Sequence, residues 1–245
     1  MALLSPIIVF IDQCITEQWR DPQGLRMLEL GNQVIRNEFW GREYTPVLTA
    51  ATGKEYYTAM GIDHTSIDMN GEDGALAIDL SQPLPTDIEL GGYDVVTNAG
   101  TTEHVEPVEA QYECFKTIHE LTKVHGLMIH FVPGPAELKT SGLWKYHCNN
   151  YYPFEFFQML SQQNGYRLVH QVLIEDLVTV CLEKTTDQAF MSDRNLLCSH
   201  IVRKNWGIVY EGINDDGISR SQAFLFKVLR KLHKRRMTSR HQKSG

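Results

Sequence analysis

The feature that most constrains this chain is the form of its apolar runs. Val95-Val96 and Leu127-Met128-Ile129 are unbroken rather than alternating. A strand with one wet face alternates, whereas a strand buried on both faces reads as a solid apolar block. Parallel sheets covered by helices need such strands. Short strand-like segments recur, each bounded by turn formers. Residues 25–31 end at Gly31, residues 64–68 are closed by Asn70-Gly71, and residues 75–80 are closed by Pro83 and Pro85. Residues 93–98 are entered from Gly91-Gly92, and residues 126–132 stop at Pro133-Gly134-Pro135. Helical spacing appears over residues 5–19 (Ile8, Ile11, Ile15, Trp19) and over residues 107–124 (Val108, Tyr112, Phe115, Ile118, Leu121). Residues 153–163 form a further helix, with Pro153 suited to its first turn and Gly165 to its C-cap. Residues 32–62 read as mixed and loop-rich. Residues 166–174 and 177–183 read as a hairpin turned at Glu175-Asp176. Five strands with interposed helices or loops, then a hairpin, predict an open doubly wound α/β sheet of about seven strands. It is mostly parallel, with one antiparallel strand.

A chain of 245 residues buries roughly three quarters of its unfolded surface and needs no disulfide or metal staple. Its five cysteines are an odd number with no C-x-x-C pair, so reduced thiols in a cytoplasmic setting are the simplest reading. No apolar run approaches the roughly 20 residues of a membrane span. The apolar stretch over residues 6–11 lacks the basic flank and cleavage site of a signal peptide. Charge is unevenly placed. Residues 1–216 carry 14 Lys and Arg against 30 Asp and Glu, whereas residues 217–245 carry 9 basic residues and no acidic one. The basic tail has two readings: an amphipathic helix docked on the acidic body, or a contact of residues 220–243 with nucleic acid or an anionic surface. No aromatic residue interleaves the charges beyond Lys234 to stack on bases.

In open sheets, ligands bind beyond the carboxyl ends of the strands, where strand order switches. The residues to read are therefore those just after each predicted strand. Glu29 and Gly31 end the first. Gly31 lets the backbone approach a ligand closely, or simply makes a turn. Asp68 ends the second, and its carboxylate can accept both hydroxyls of a ribose or cap the Asn70-Gly71 turn. Asp79 ends the third, and can accept from an adenine amino group or close an Asx turn before Ser81. Acids at three successive strand ends disfavour a pyrophosphate, which wants backbone N–H groups and positive charge. They fit a ligand with a ribose and a positive charge.

The order Glu29-Leu30-Gly31, Asp68, Asp79-Leu80, Tyr93-Asp94-Val95-Val96-Thr97-Asn98 and Glu103-His104-Val105 resembles the class I S-adenosylmethionine-dependent methyltransferases. The segment from Gly100 to Val105 is similar to the signature that follows the fourth strand in their small-molecule branch. The resemblance covers roughly residues 25–184. It implies a Rossmann-like sheet whose last hairpin inserts one strand antiparallel between its neighbours, with S-adenosylmethionine as cofactor. Glu29, Gly31, Asn32 and Gln33 would line the methionine part and the sulfonium. Asp68 would hold the ribose, with Met69 packing on the adenine, and Asp79 and Leu80 would read the adenine edge. Asn98, Ala99 and Gly100 would run past the methyl-bearing sulfur. Two departures stand out. Gly31 is followed by Asn and Gln where the family carries further glycines, and Asp68 comes 39 positions after Glu29. An insertion over residues 37–61 explains the second and would form part of a lid. The implied organisation is a methyltransferase domain over residues 1–190, with its core over 25–184 and an N-terminal helix over 5–19. A C-terminal extension over 191–245 carries the basic helical tail.

The implied reaction is in-line methyl transfer to a small-molecule or sugar-like acceptor, at oxygen. The candidate catalytic residues are His104 as base, Glu103 as an orienting or substrate-binding group, and His130 at the end of the fifth strand. Tyr146, His147, Tyr151 and Tyr152 would wall the acceptor pocket. The bland readings are a turn histidine for His104 and a satisfied core histidine for His130. His147 beside Cys148 suggests a metal, but no second cluster at ligand spacing supports one, so no metal is expected. Two rival functions remain. Thr97-Asn98-Ala99-Gly100 also resembles a stretch of short-chain dehydrogenases, and Tyr112 and Lys116 have their Tyr-x-x-x-Lys spacing. That pair begins only 12 residues past Gly100, and no G-x-x-x-G-x-G opens the chain. The other rival is a non-catalytic relative that binds or regulates, touching nucleic acid through its tail.

Overall fold

The computed structural model describes residues 2–39, 42–135, 144 and 147–203. Six strands build the central sheet: β1 (Arg26–Leu30), β2 (Asp63–Ile67), β3 (Tyr93–Ala99), β4 (Thr122–Pro133), β5 (Tyr166–Ile174) and β6 (Leu177–Lys184). Their order is β5-β6-β4-β3-β1-β2. Strands β2, β1, β3 and β4 run parallel, and β6 lies antiparallel between β4 and β5. The doubly wound, mostly parallel sheet with one antiparallel insertion is therefore present. From β1 the chain turns to one side for β2, then crosses to the other side for β3. Strand order thus switches between β1 and β3.

Helices cover both faces. On one lie α1 (Ser5–Trp19) and α2 (Gly53–Ala59), packed through Ile7, Ile8, Ile11, Ile15 and Tyr57 on Met27, Val95, Ile129 and Phe131. On the other lie α3 (Gln111–Leu121), α4 (Phe154–Asn164) and α5 (Arg194–Ser199), whose Phe115, Ile118, Phe156, Phe157 and Leu197 pack on Leu28, Val96 and Met128. Neighbouring residues of one strand thus enter two different cores, which is why the runs are solid. Each fully buried Phe or Ile contributes on the order of 2–3 kcal/mol of transfer free energy. Pro153 is the N-cap residue of α4, and Gly165 closes it at φ 63°. Glu175 and Asp176 turn the last hairpin with φ of 51° and 63°, the paired left-handed residues of a type I′ turn. Among the described residues no helix is long and apolar enough to cross a membrane.

Three expectations change. The third predicted strand, residues 75–80, shrinks to one parallel bridge between Ile67 and Leu76. Beyond it the Ile78 amide turns back to the Leu76 carbonyl, and Ile78 and Leu80 bury in the core instead of extending the ladder. Residues 32–62 hold more order than predicted. Val34–Arg36 pairs in parallel with Ala2–Leu4, and Glu38–Phe39 pairs with Arg42–Glu43. The helix predicted over residues 107–124 is a 3-10 turn, Val108–Ala110, followed by α3. It gives way at Thr122, whose hydroxyl donates to the Ile118 carbonyl. The basic tail and Tyr146 lie outside the described residues.

Candidate functional site

The switch point between β1 and β3 is closed by two tight turns in contact. Gly31 ends β1 at φ +81°, and its amide donates to the Ile67 carbonyl of β2. A β-carbon there would lie 2.5 Å from Gln33 Nε2 and 2.6 Å from Thr101 Oγ1. Thr101, just beyond β3, donates its hydroxyl to the Leu30 carbonyl at 2.7 Å. Gly100, at φ +73°, donates its amide to the Phe131 carbonyl of β4. Both turns adopt backbone that glycine reaches without cost.

Two of the three predicted carboxylates grip the first turn. Asp68 Oδ2 accepts from the Asn32 amide at 3.1 Å, and Glu29 Oε2 accepts from the Gln33 amide at 3.0 Å. Asp68 Oδ1 also accepts from the Asn70 amide. Asn32 reaches the neighbouring Asp73 with its side-chain amide, and Met69 stands 65% exposed beside Asp68. Asp79 is exposed, and its carboxylate accepts from the Ser81 amide, an Asx turn. Leu80 is buried in the core. Glu29 itself is wholly buried beneath α2, where a β-carbon at Gly53 would lie 2.6 Å from its Oε1. Burial lifts its carboxyl to about 8, opposed chiefly by the amide of Gln33. Burial also lowers the imidazole of His64 to about 4, so its 3.8 Å approach to Glu29 joins two neutral groups at neutral pH.

A buried polar network holds the segment after β3. Asn98 donates to Thr102 Oγ1 and accepts from the Thr102 amide. Tyr152 donates to Gln111 Oε1 at 2.6 Å and lies 3.2 Å from Thr102 Oγ1. Gln111 donates to the carbonyls of Thr102 and Val105, and Asn150 donates to those of Glu103 and Val105. Asn98 also lies 3.3 Å from His130 Nδ1. His130 is buried against Phe115 and Phe157, and burial lowers its imidazole to about 3, so it is neutral. Ala99 is buried at the end of β3. Tyr151 is buried too, with its hydroxyl on the Trp144 carbonyl.

Within this frame the Glu103 side chain is wholly buried, yet among the described residues neither carboxylate oxygen has a hydrogen-bond partner. Burial lifts its carboxyl to about 8. His104 Nε2 lies 3.6 Å and His147 Nε2 3.8 Å from Glu103 Oε1. The two imidazoles cross at 72° with centroids 4.8 Å apart. Sequence spacing concealed this cluster, because His147 comes from the segment after β4 whereas Glu103 and His104 follow β3. The inserted residues border it. Phe39 stacks on Trp144, which packs edge-on to His147, and Arg42 and Tyr44 both bind Glu175 of the last hairpin.

No family model and no curated protein sequence matches the chain. Among solved structures, it is similar to 1,6-didemethyltoxoflavin-N1-methyltransferase of Burkholderia thailandensis, which holds 1,6-didemethyltoxoflavin and S-adenosylhomocysteine. That likeness has 12% identity over 74% of this chain and 90% of that one, with a TM-score of 0.45. The N-methyltransferase NodS of Bradyrhizobium japonicum, in complex with S-adenosylhomocysteine, gives 10% identity over 74% and 88%, with a TM-score of 0.47. A methyltransferase of Methanosarcina mazei gives 10% over 71% and 98%, with a TM-score of 0.45.

Proposed function

We propose that this chain, which has the class I methyltransferase fold, transfers a methyl group from S-adenosylmethionine to a hydroxyl oxygen of a small or sugar-like acceptor. The observation that carries the reading is the paired turn at the switch point, with the carboxylate of Asp68 and the buried carboxyl of Glu29 on consecutive amides of one turn and Gly100–Thr101 pressed against it. The residues fit a cationic nucleoside. Each oxygen of Asp68 accepts one hydrogen bond and keeps capacity for another, enough for ribose hydroxyls. Met69 offers an uncovered apolar surface for a purine face. Glu72 and Asp73 add negative charge beside Asn32.

The bound sulfonium would supply an already activated methyl group. The chain's own task is alignment and proton removal. Orientation contributes up to roughly 7–11 kcal/mol in favourable cases, and a placed base about 10²–10⁴-fold. Glu103 and His104, held by the network around Thr102, and His147 beside them make the place where the acceptor hydroxyl loses its proton. Phe39, Trp144 and the insertion wall that side. His130, neutral among aromatic rings, supports Asn98. The basic stretch over residues 220–243 would add a contact to a nucleic acid or anionic surface, and the five free thiols suit a cytoplasmic setting.

Calorimetry tests the reading. S-adenosylhomocysteine should bind at micromolar concentration, and Asp68→Ala should weaken it at least about tenfold, the loss of charge-assisted hydrogen bonds. Binding of NAD(P) instead would favour a dehydrogenase, and binding of neither a scaffold. Labelled methyl transfer to a panel of hydroxyl acceptors then tests the oxygen assignment.

A further inference from the structure

We propose that Glu103, His104 and His147 form a binding site for one divalent transition-metal ion of the Zn²⁺, Fe²⁺ or Mn²⁺ class. Glu103 motivates the assignment. Its backbone is fixed by Asn150 and by the network through Thr102, yet its carboxylate is sealed from solvent with both oxygens lacking a hydrogen-bond partner among the described residues. Burying a carboxylate is costly unless something positive or a donor meets it. The nearest imidazole nitrogens, at 3.6 and 3.8 Å, are too far for hydrogen bonds. They are near the spacing of ligand atoms around a shared ion. With metal–ligand distances of roughly 2.1 Å, the corners of a tetrahedron lie about 3.4 Å apart. One donor atom from each residue lies within 4.8 Å of the other two, so small side-chain rotations close the set.

The chemistry of the donors selects the ion. Two imidazoles and one carboxylate suit borderline transition metals, whereas Mg²⁺ and Ca²⁺ take oxygen. The side chains of His104 and His147 are 19% and 12% exposed against none for Glu103, so the cluster opens on its histidine side. The three ligands found among the described residues leave at least one position for an outside molecule, the arrangement of reactive rather than structural sites. Cys148 is turned elsewhere, its thiol donating to the Asn150 carbonyl. Use of the open position to hold the acceptor's oxygen rests on the methyl-transfer reading; the binding of the ion does not.

The test uses the full chain, stripped with chelator and titrated with Co²⁺ in the absence of any nucleoside. One saturable equivalent is expected, with the visible bands of nitrogen- and oxygen-bound Co²⁺, no thiolate charge-transfer band, and displacement by Zn²⁺. Glu103→Gln and His147→Ala should each weaken binding at least tenfold, while Glu103→Asp retains it more nearly. Circular dichroism checks that each variant is folded. His125→Ala and the double variant His233→Ala/His241→Ala should leave binding unchanged. The assignment is overturned by no saturable binding, by undiminished binding in folded His147→Ala, or by a strong thiolate band lost in Cys148→Ser. A parallel titration with S-adenosylhomocysteine keeps the two readings separate. Nucleoside binding without Co²⁺ binding removes only the metal site, and the converse removes only the methyl-transfer reading.

Discussion

Replacing Gly31 by alanine probes the contact on which the candidate site is built. At φ +81° an alanine is left-handed, which costs about 1–2 kcal/mol. The new methyl would also lie 2.5 Å from Gln33 Nε2 and 2.6 Å from Thr101 Oγ1. The Gln33 amide is the far end of a flexible side chain and can swing aside. The Thr101 hydroxyl is tied to the Leu30 carbonyl at 2.7 Å, and displacing it forfeits about 1 kcal/mol. The sum is a loss of about 2–3 kcal/mol, read as a lower urea midpoint at unchanged slope. In a Thr101→Ala background the collision with the hydroxyl is gone, so Gly31→Ala should cost only about 1–2 kcal/mol, a coupling a double-mutant cycle resolves. S-adenosylhomocysteine affinity should fall with the same substitution. A loss below about 0.5 kcal/mol, or an identical loss in both backgrounds, would refute the argument.

Glu29 holds its proton in the folded chain up to about 8, against an ordinary value of 4.5. Between those values the unfolded chain carries fewer protons, so stability falls as pH rises. Glu29→Gln should flatten that fall between pH 5 and 8, by up to a few kcal/mol in urea titrations; an unaltered slope would exclude the buried acid as its source. Tyr152→Phe strands Gln111 Oε1 in the interior and should cost about 1–3 kcal/mol, with amide exchange around Thr102 accelerated more than elsewhere. His104→Ala should reduce methyl transfer at least tenfold while S-adenosylhomocysteine affinity stays within about twofold; equal losses in both would place His104 on the cofactor side.

The sheet was legible because burial on two faces leaves a local trace. Val95-Val96 and Leu127-Met128-Ile129 announce strands covered from both sides, and Glu175-Asp176 marks its hairpin by length alone. What was not legible depends on distant partners. Ala2–Leu4 is a strand only because Val34–Arg36 lies alongside it, and neither segment is long enough to signal itself. The α2 start could have been found. Thr52 accepts from the Glu55 amide while Glu55 reaches back to the Ala51 amide, a near capping box spelled Thr-x-x-Glu. Residues 75–80 look like a strand by composition, but the turn around Asp73 and Gly74 and the Asx turn at Asp79 leave a single bridge. In the candidate site, Asp68 and Glu29 could be placed at strand ends from sequence, whereas the approach of His147 to Glu103 follows from how the chain returns after β4.

The antiparallel placement of β6 has a consequence for synthesis. The ladder between β4 and β5 is completed by a segment made after both, so the apolar edge of β4 waits for residues 177–184 to emerge. Until then a nascent chain presents an open row of backbone donors and acceptors flanked by Leu127, Ile129 and Phe131. Fragments ending before Leu177 should self-associate on that edge, and a ribosome-bound chain of that length is a natural client for a holding chaperone.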